Sequence, residues 1–204
     1  MSHYKVLLFD LGKVVFDVSF GRAFASWAET SKLPYETIRK RFKFDEAYDL
    51  FSEDKLTTEE YAQHVSTLIG FPLSVPEFEK GWCDIYLDVY PAMPKLLAKL
   101  KKNYRLAALT NTNASHAKVW PSKYAEVLSH FEHIFSSHEI RARKPEKLAY
   151  TIVLDYLGIA PGEALFLDDT APNVVGAADA GIKGIIVTSS SQLEEALMKE
   201  GIAF

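Results

Sequence analysis

Three observations predict an α/β protein whose core is a doubly wound parallel sheet carrying an inserted helical bundle. Five short apolar runs recur along the 204 residues; helix-like segments separate the last four; and the long stretch between the first two runs has helical periodicity alone. The runs are Val6–Phe9, Leu106–Leu109, His133–Phe135, Leu165–Leu167 and Ile185–Val187. All but the third are nearly uniformly apolar, the pattern of parallel strands covered on both faces. At 48% apolar content the chain suits one compact core, or one core with an insertion, rather than two full domains.

Taken in order, the first run leads directly into the helical stretch of residues 15–90. There Phe20, Phe24 and Trp27 form one stripe and Tyr35, Ile38 and Phe42 a second. Tyr61, Val65 and Leu68 follow, then Phe78, Trp82 and Ile85. Thr57 with Glu60, and Ser74 with Glu77, have the spacing of capping boxes just ahead of apolar stripes. Roughly four helices are predicted, forming a cap (15–90) on a core built from residues 1–14 and 91–204. Within the core, Pro145–Leu157 reads as a helix that closes at Gly158, and Ala171–Ala180 as one that closes at Gly181. Leu193–Met198 reads as a surface helix. Strands alternating with helices give the parallel α/β sheet.

Composition narrows the function. Lys and Arg number 23 against 27 Asp and Glu, a net charge of −4, which argues against a nucleic-acid footprint or an anionic membrane surface. No apolar run approaches the roughly 18 residues a membrane span needs. The start, Met1 to Lys5, runs into a strand rather than a signal-peptide pattern, and a single cysteine, Cys83, permits no internal disulfide. A cytoplasmic protein, monomer or homodimer, is expected.

Ligands of open parallel sheets bind beyond the carboxyl ends of the strands. Those ends carry Asp10 and Gly12, Thr110 and Asn111, and the pair Asp168-Asp169, while Lys144 precedes the helix opened by Pro145. Acids that meet at one point repel unless a cation or proton intervenes, and hard oxygen donors suit Mg²⁺. A lysine and a hydroxyl beside such a metal make a place for phosphate. Asp10 can then serve as metal ligand or as nucleophile.

These segments resemble the four motifs of the haloacid dehalogenase superfamily of phosphohydrolases. Phe9-Asp10-Leu11-Gly12-Lys13-Val14-Val15 resembles the first, whose leading Asp is the nucleophile. Thr110-Asn111 is similar to the second, where a hydroxyl and the following backbone N–H hold phosphoryl oxygens. Lys144-Pro145 is similar to the third, and Asp168-Asp169 with Asn173 and Gly176-Ala177 to the acidic fourth. Trp120-Pro121 adds a resemblance to the branch containing bacterial α-D-glucose-1-phosphate phosphatases. The resemblance implies a Mg²⁺-dependent phosphatase acting on a small phosphate ester, a sugar phosphate above all, through an aspartyl phosphate on Asp10. Metal ligands would be Asp10, the Gly12 carbonyl and Asp169, with Asp168 direct or through water. Thr110, Asn111, Lys144 and Gly12 would line the substrate.

One position departs from that pattern. Most phosphatases of the superfamily carry a second Asp two residues after the nucleophile, as general acid and base, and here the residue is Gly12. A bland role for Gly12 would be a positive φ or a close approach. Without that Asp the chain favours esters with acidic leaving groups, and three alternatives stay open: a dehalogenase, a phosphonatase using Lys40 or Lys43 of the cap, or an idle phosphate-binding module. His130, His133 and His138 are expected to be structural, and Arg22 to form an exposed salt bridge. Cys83 is expected to pack as a small apolar group. His116 is a weak candidate for assisting proton transfer.

Overall fold

The computed structural model describes residues 3–204, so the Met1-Ser2 start of the chain lies outside the described residues. The chain begins with β1 (Val6–Phe9) and β2 (Phe16–Val18). Five helices follow: α1 (Phe20–Ser31), α2 (Tyr35–Arg41), α3 (Glu46–Ser52), α4 (Thr58–Ile69) and α5 (Val75–Cys83). Next come β3 (Tyr86–Val89), α6 (Met93–Leu100) and β4 (Arg105–Thr110). Three short helices, α7 (Ala114–Ala117), α8 (Trp120–Lys123) and α9 (Ala125–Leu128), lead to β5 (His133–Ser136) and α10 (Ser137–Ile140). The chain ends with α11 (Lys147–Leu157), β6 (Ala164–Asp168), α12 (Ala171–Asp179), β7 (Lys183–Ile186) and α13 (Ser190–Lys199).

Five strands form one parallel sheet in the order β5-β4-β1-β6-β7, so the chain departs from β1 to one side for β4 and to the other for β6. Every residue of β1 is buried because strand alternation sends Val6 and Leu8 to one layer and Leu7 and Phe9 to the other. Tyr150, Val153 and Ala177 of α11 and α12 cover the first face. Leu96, Leu97 and Leu100 of α6, with Leu193 and Leu197 of α13, cover the second. At about 1.5–3 kcal/mol for each fully buried large apolar side chain, this two-sided burial makes β1 a firmly anchored platform.

The helices between β2 and β3 close around Trp27, Phe78 and Trp82, all fully buried. Trp27 stacks on Phe78 and Trp82 at centroid distances of 5.6 and 6.1 Å. A Cβ at Gly81 would stand 2.6 Å from Trp27 Nε1, so α5 can approach α1 only with glycine there. Both capping boxes form: Glu60 and Glu77 each accept from the backbone N–H and hydroxyl of their Thr57 and Ser74 partners.

Several boundaries differ from the sequence expectation. The stretch contains five helices rather than four, since α3, flanked by the aromatic stripes, is only seven residues long and presents too little periodicity to stand out. It is framed by an antiparallel ribbon, β2 with β3, pairing Phe16 with Val89 and Val18 with Tyr86. Helix α11 starts at Lys147 rather than at Pro145, because a turn in which Glu146 N–H donates to Arg143 O at 2.9 Å takes up the intervening residues. The last strand is shifted to Lys183–Ile186, an edge strand whose first residues lack an apolar signature. Among the described residues no helix is long and apolar enough to cross a membrane.

Candidate active site

The rim where β1, β4 and β6 end gathers the predicted residues. Asp10 follows β1 directly, its N–H donating to Leu167 O at 2.8 Å, while Thr110 and Asp168 are the last residues of β4 and β6. Carboxylate oxygens of Asp10, Asp168 and Asp169 lie within 4.8 Å of one another. Between two of them sits the fully buried ammonium of Lys144, 2.8 Å from Asp10 Oδ1 and 2.6 Å from Asp168 Oδ2.

Two asparagines hold this arrangement in place. Asn111 clamps the backbone of Lys144 at both ends: its amide donates to Lys144 O at 2.8 Å and its carbonyl accepts from Lys144 N–H at 2.9 Å. Asn173 donates to both oxygens of Asp168 at 3.0 Å, and Thr170 N–H adds a bond to Oδ1 at 2.8 Å. Asp168 is thus saturated with donors, whereas Asp169 is partly exposed and accepts from the Thr170 hydroxyl at 3.1 Å. The Lys144–Pro145 peptide is cis. Helix α12 presses on it closely: a Cβ at Gly176 would lie 2.2 Å from Pro145 O, so only glycine fits.

Charge at this rim does not balance within the protein. Three carboxylates against one ammonium leave a surplus of −2. Burial pushes Asp10 up to about 6; Lys144 opposes the rise, while Asp168 and Asp169 add to it. Asp169 is raised as well, by its burial and then by Asp168. Burial also works to strip Lys144 of its proton, but the two carboxylates together outweigh it and hold the ammonium above its ordinary value. All-oxygen donors and a double negative surplus fit a hard divalent cation such as Mg²⁺.

Above the rim opens a cleft of about 400 Å³. Asp10, Thr110, Lys144 and Asp169 form its floor, and Val18, Phe20, Tyr48, Tyr86 and Trp120 much of its wall. Gly12 lines it too, but not for the reasons expected of a glycine. Its φ is not positive, and an added Cβ would meet only Val18 methyls at 3.6 and 3.7 Å, ordinary van der Waals contact. The position simply lacks a side chain.

His116 reaches the wall yet cannot move a proton. Its Nε2–H donates to Trp82 O at 2.9 Å, and its Nδ1 accepts from the Asn113 amide at 3.1 Å. Burial pushes the ring down to about 3, so it is neutral with both nitrogens occupied. Sequence reasoning missed this Trp82–Asn113–His116 network, and also Tyr48 and Arg143 in the wall, because nothing in the local pattern says which way a side chain faces. Arg143, directly before Lys144, was the readable hint.

Other expectations resolve simply. Lys40 and Lys43 are exposed and outside the cleft. Arg22 pairs with Asp84 at 2.8 Å on the surface. Cys83 donates to Ser115 O at 3.4 Å, and burial pushes its thiol up to about 11. Among the described residues the three acids are the only cluster able to hold a metal, so His130, His133 and His138 do not form one.

The parallel sheet gathers three acids and one lysine at its switch point, the edge where ligands of open α/β sheets bind. The chain belongs to the haloacid dehalogenase-like hydrolases, whose family description matches residues 4–181. It is 21% identical over 175 residues to the D-ribitol-5-phosphate phosphatase of Bacteroides thetaiotaomicron, covering 83% of this chain and 85% of that one. Rat bifunctional epoxide hydrolase 2 is 29% identical over 112 residues, and the match covers 53% of this chain but only 20% of that protein. Among solved structures, a haloacid dehalogenase family enzyme of B. thetaiotaomicron in complex with magnesium and inorganic phosphate superposes with a TM-score of 0.80 at 26% identity, covering 93% of this chain and 98% of that one.

Proposed function

We propose that the protein is a Mg²⁺-dependent phosphatase of a small phosphate ester, with Asp10 as nucleophile. The observation that carries the reading is the buried Lys144 ammonium bridging Asp10 and Asp168 beside an uncompensated −2 surplus. Phosphate and magnesium in the solved relative, and the phosphatase name of the sequence relative, support it. That relative's substrate also favours a sugar or polyol phosphate over other esters.

Each residue has a role in this reading. Asp10 and Asp169, with the Gly12 carbonyl, would hold the cation, which would supply charge neutralisation for the phosphoryl oxygens. Asp168, already bonded by Asn173, Thr170 and Lys144, positions the lysine and would serve the cation through water. Asp10 attacks phosphorus in line and the alkoxide leaves; water then cleaves the aspartyl phosphate and frees the carboxylate. Lys144 and the buried Thr110 hydroxyl offset charge on the transferring group. Asn111 holds Lys144 in place through its side chain and contributes its backbone N–H to the phosphoryl oxygens. Residues 15–90 act as the cap that closes over the leaving group. No side chain at Gly12 gives the departing oxygen a proton, so proton transfer falls to water or to the substrate itself.

Release of inorganic phosphate from a panel of sugar phosphates, with Mg²⁺ and with EDTA, tests the proposal. Turnover that needs Mg²⁺ supports it. No turnover on any ester, or turnover indifferent to EDTA, would sink it.

A further inference from the structure

Helix α3 belongs to the helical bundle, yet it is tied directly to the loops of the sheet rim. Within the bundle it is anchored by Phe51, which is buried and stacks on Tyr61 at a centroid distance of 4.4 Å. At its start Asp45 meets His64 Nε2 at 2.9 Å. Toward the rim, Asp49 is ion-paired with Arg143, whose guanidinium carbon also lies 5.8 Å from the ring centre of the neighbouring Tyr48. The last residue of α3, Ser52, accepts through its carbonyl from Ser137 Oγ at 2.6 Å, and Ser137 Oγ in turn accepts from Thr112 N–H at 2.9 Å. A further pair, Arg141 with Asp54 at 3.4 Å, is exposed on both sides and adds little.

The points where α3 takes hold bear on the chemistry. Thr112 follows Asn111 and Arg143 precedes Lys144, and Asn111 and Lys144 are the two halves of the clamp that fixes the lysine backbone. Helix α3 therefore grips the chain neighbour of each half. Of the two grips, the Asp49–Arg143 pair is the charged one, with Arg143 largely buried and Asp49 half exposed. Removing Asp49 would leave a shielded guanidinium without its carboxylate, one residue from Lys144. Surplus acid lines the floor of the same cleft, so the freed charge would be drawn out of place toward it and would carry the lysine backbone along.

We propose that Asp49 is a positioning residue for the phosphoryl-transfer step. By holding Arg143 against α3 it fixes the Arg143–Lys144 backbone to the helical bundle, and with it the ammonium that serves the transferring group. Asp49 itself touches no reacting atom. This rests on the phosphatase reading above and goes beyond it: the bundle supports the chemical step as well as covering the leaving group. The effect of Asp49 therefore falls on every ester, whatever its leaving group.

The experiment measures kcat and KM separately, with Mg²⁺, on a pentitol monophosphate and on acetyl phosphate, whose leaving group is too small to span the cleft. Wild type is compared with Asp49→Asn, Asp49→Glu, Arg143→Gln and the Asp49→Asn/Arg143→Gln double variant. Misplacing an oriented group by about 1 Å can cost about 10²-fold in rate, so Asp49→Asn should lower kcat by about tenfold or more on both esters. KM should move by less than about threefold. Asp49→Glu, which keeps the carboxylate, should recover most of the rate, and the double variant should be within about twofold of the slower single one. A loss confined to the pentitol ester, a rise in KM alone, losses that multiply in the double variant, or Asp49→Glu as slow as Asp49→Asn would overturn the positioning role and leave the phosphatase standing. Absence of Mg²⁺-dependent turnover by the wild type on either ester would overturn both. Should Asp49→Asn fail to fold, Arg143→Gln on the same two esters decides in its place.

Discussion

Replacing Gly12 by Asp puts the absent acid where the cleft has room for it. The Cβ clearance of 3.6–3.7 Å to Val18, with no positive φ to strain, means that the substitution has little steric cost. Its electrostatic cost falls on the metal-free protein. A fourth carboxylate about 6–12 Å from the double surplus, at an effective dielectric of about 20, adds roughly 3–6 kcal/mol of repulsion. The melting temperature in EDTA should therefore fall, and Mg²⁺ should recover most of the loss. On the catalytic side, a positioned acid is worth about 10²–10⁴-fold where the leaving oxygen needs a proton. The assay is kcat on an alkyl or polyol phosphate against p-nitrophenyl phosphate, whose leaving group departs as a stable anion. The alkyl rate should rise at least about tenfold, and the p-nitrophenyl rate should change far less. A fall, or the same change on both esters, would refute the reasoning and show that another group already supplies the proton.

Other outcomes follow from the same geometry. Protons and Mg²⁺ compete for Asp10, whose pKa near 6 in the metal-free protein means that apparent Mg²⁺ affinity by calorimetry should weaken as pH falls through 6; affinity unchanged from pH 8 to pH 5 would contradict this. The same raised pKa has a stability consequence of defined sign. The folded state holds this proton more tightly than the unfolded chain, so the contribution is fully present below the ordinary aspartate value of 3.8 and lost as pH rises through about 6. In EDTA, wild type should therefore lose stability relative to Asp10→Asn on going from pH 5 to pH 7, and parallel melting curves for the two would count against it. Gly176→Ala drives a methyl into Pro145 O and should cost about 1–3 kcal/mol in denaturant unfolding, together with activity; a change below about 0.5 kcal/mol would mean that α12 moves freely. Asn111→Ala releases both ends of Lys144 and should lower kcat by about tenfold or more, while an unaltered kcat would show that Lys144 needs no clamp.

Much of the core was legible because its signals are local. Val6–Phe9 is uniformly apolar, so its strand appears with the same bounds in the structure. Asp10, Thr110 and Asp168 were readable as ligand-facing because each ends such a run, and the sheet order then brings them together. The β2–β3 ribbon was not legible, since its two strands are 3 and 4 residues long and the end of the first, Val18, lies 68 positions before its partner Tyr86, a pairing that only the fold reveals. Asn111 and Asn173 were placed near the site, yet their clamping of Lys144 and Asp168 depends on side-chain direction. The same holds for Trp120, expected only as a mark of resemblance, and for Arg143, whose pairing with Asp49 joins residues far apart in the chain.

The most direct test of the central claim is whether Asp10 becomes phosphorylated. Wild type and Asp10→Asn would be acid-quenched during turnover of an ester radiolabelled in its phosphoryl group. Label bound to the wild-type peptide containing Asp10, released by hydroxylamine and missing from the variant along with its turnover, is the expected result. Turnover by Asp10→Asn at the wild-type rate would contradict the account.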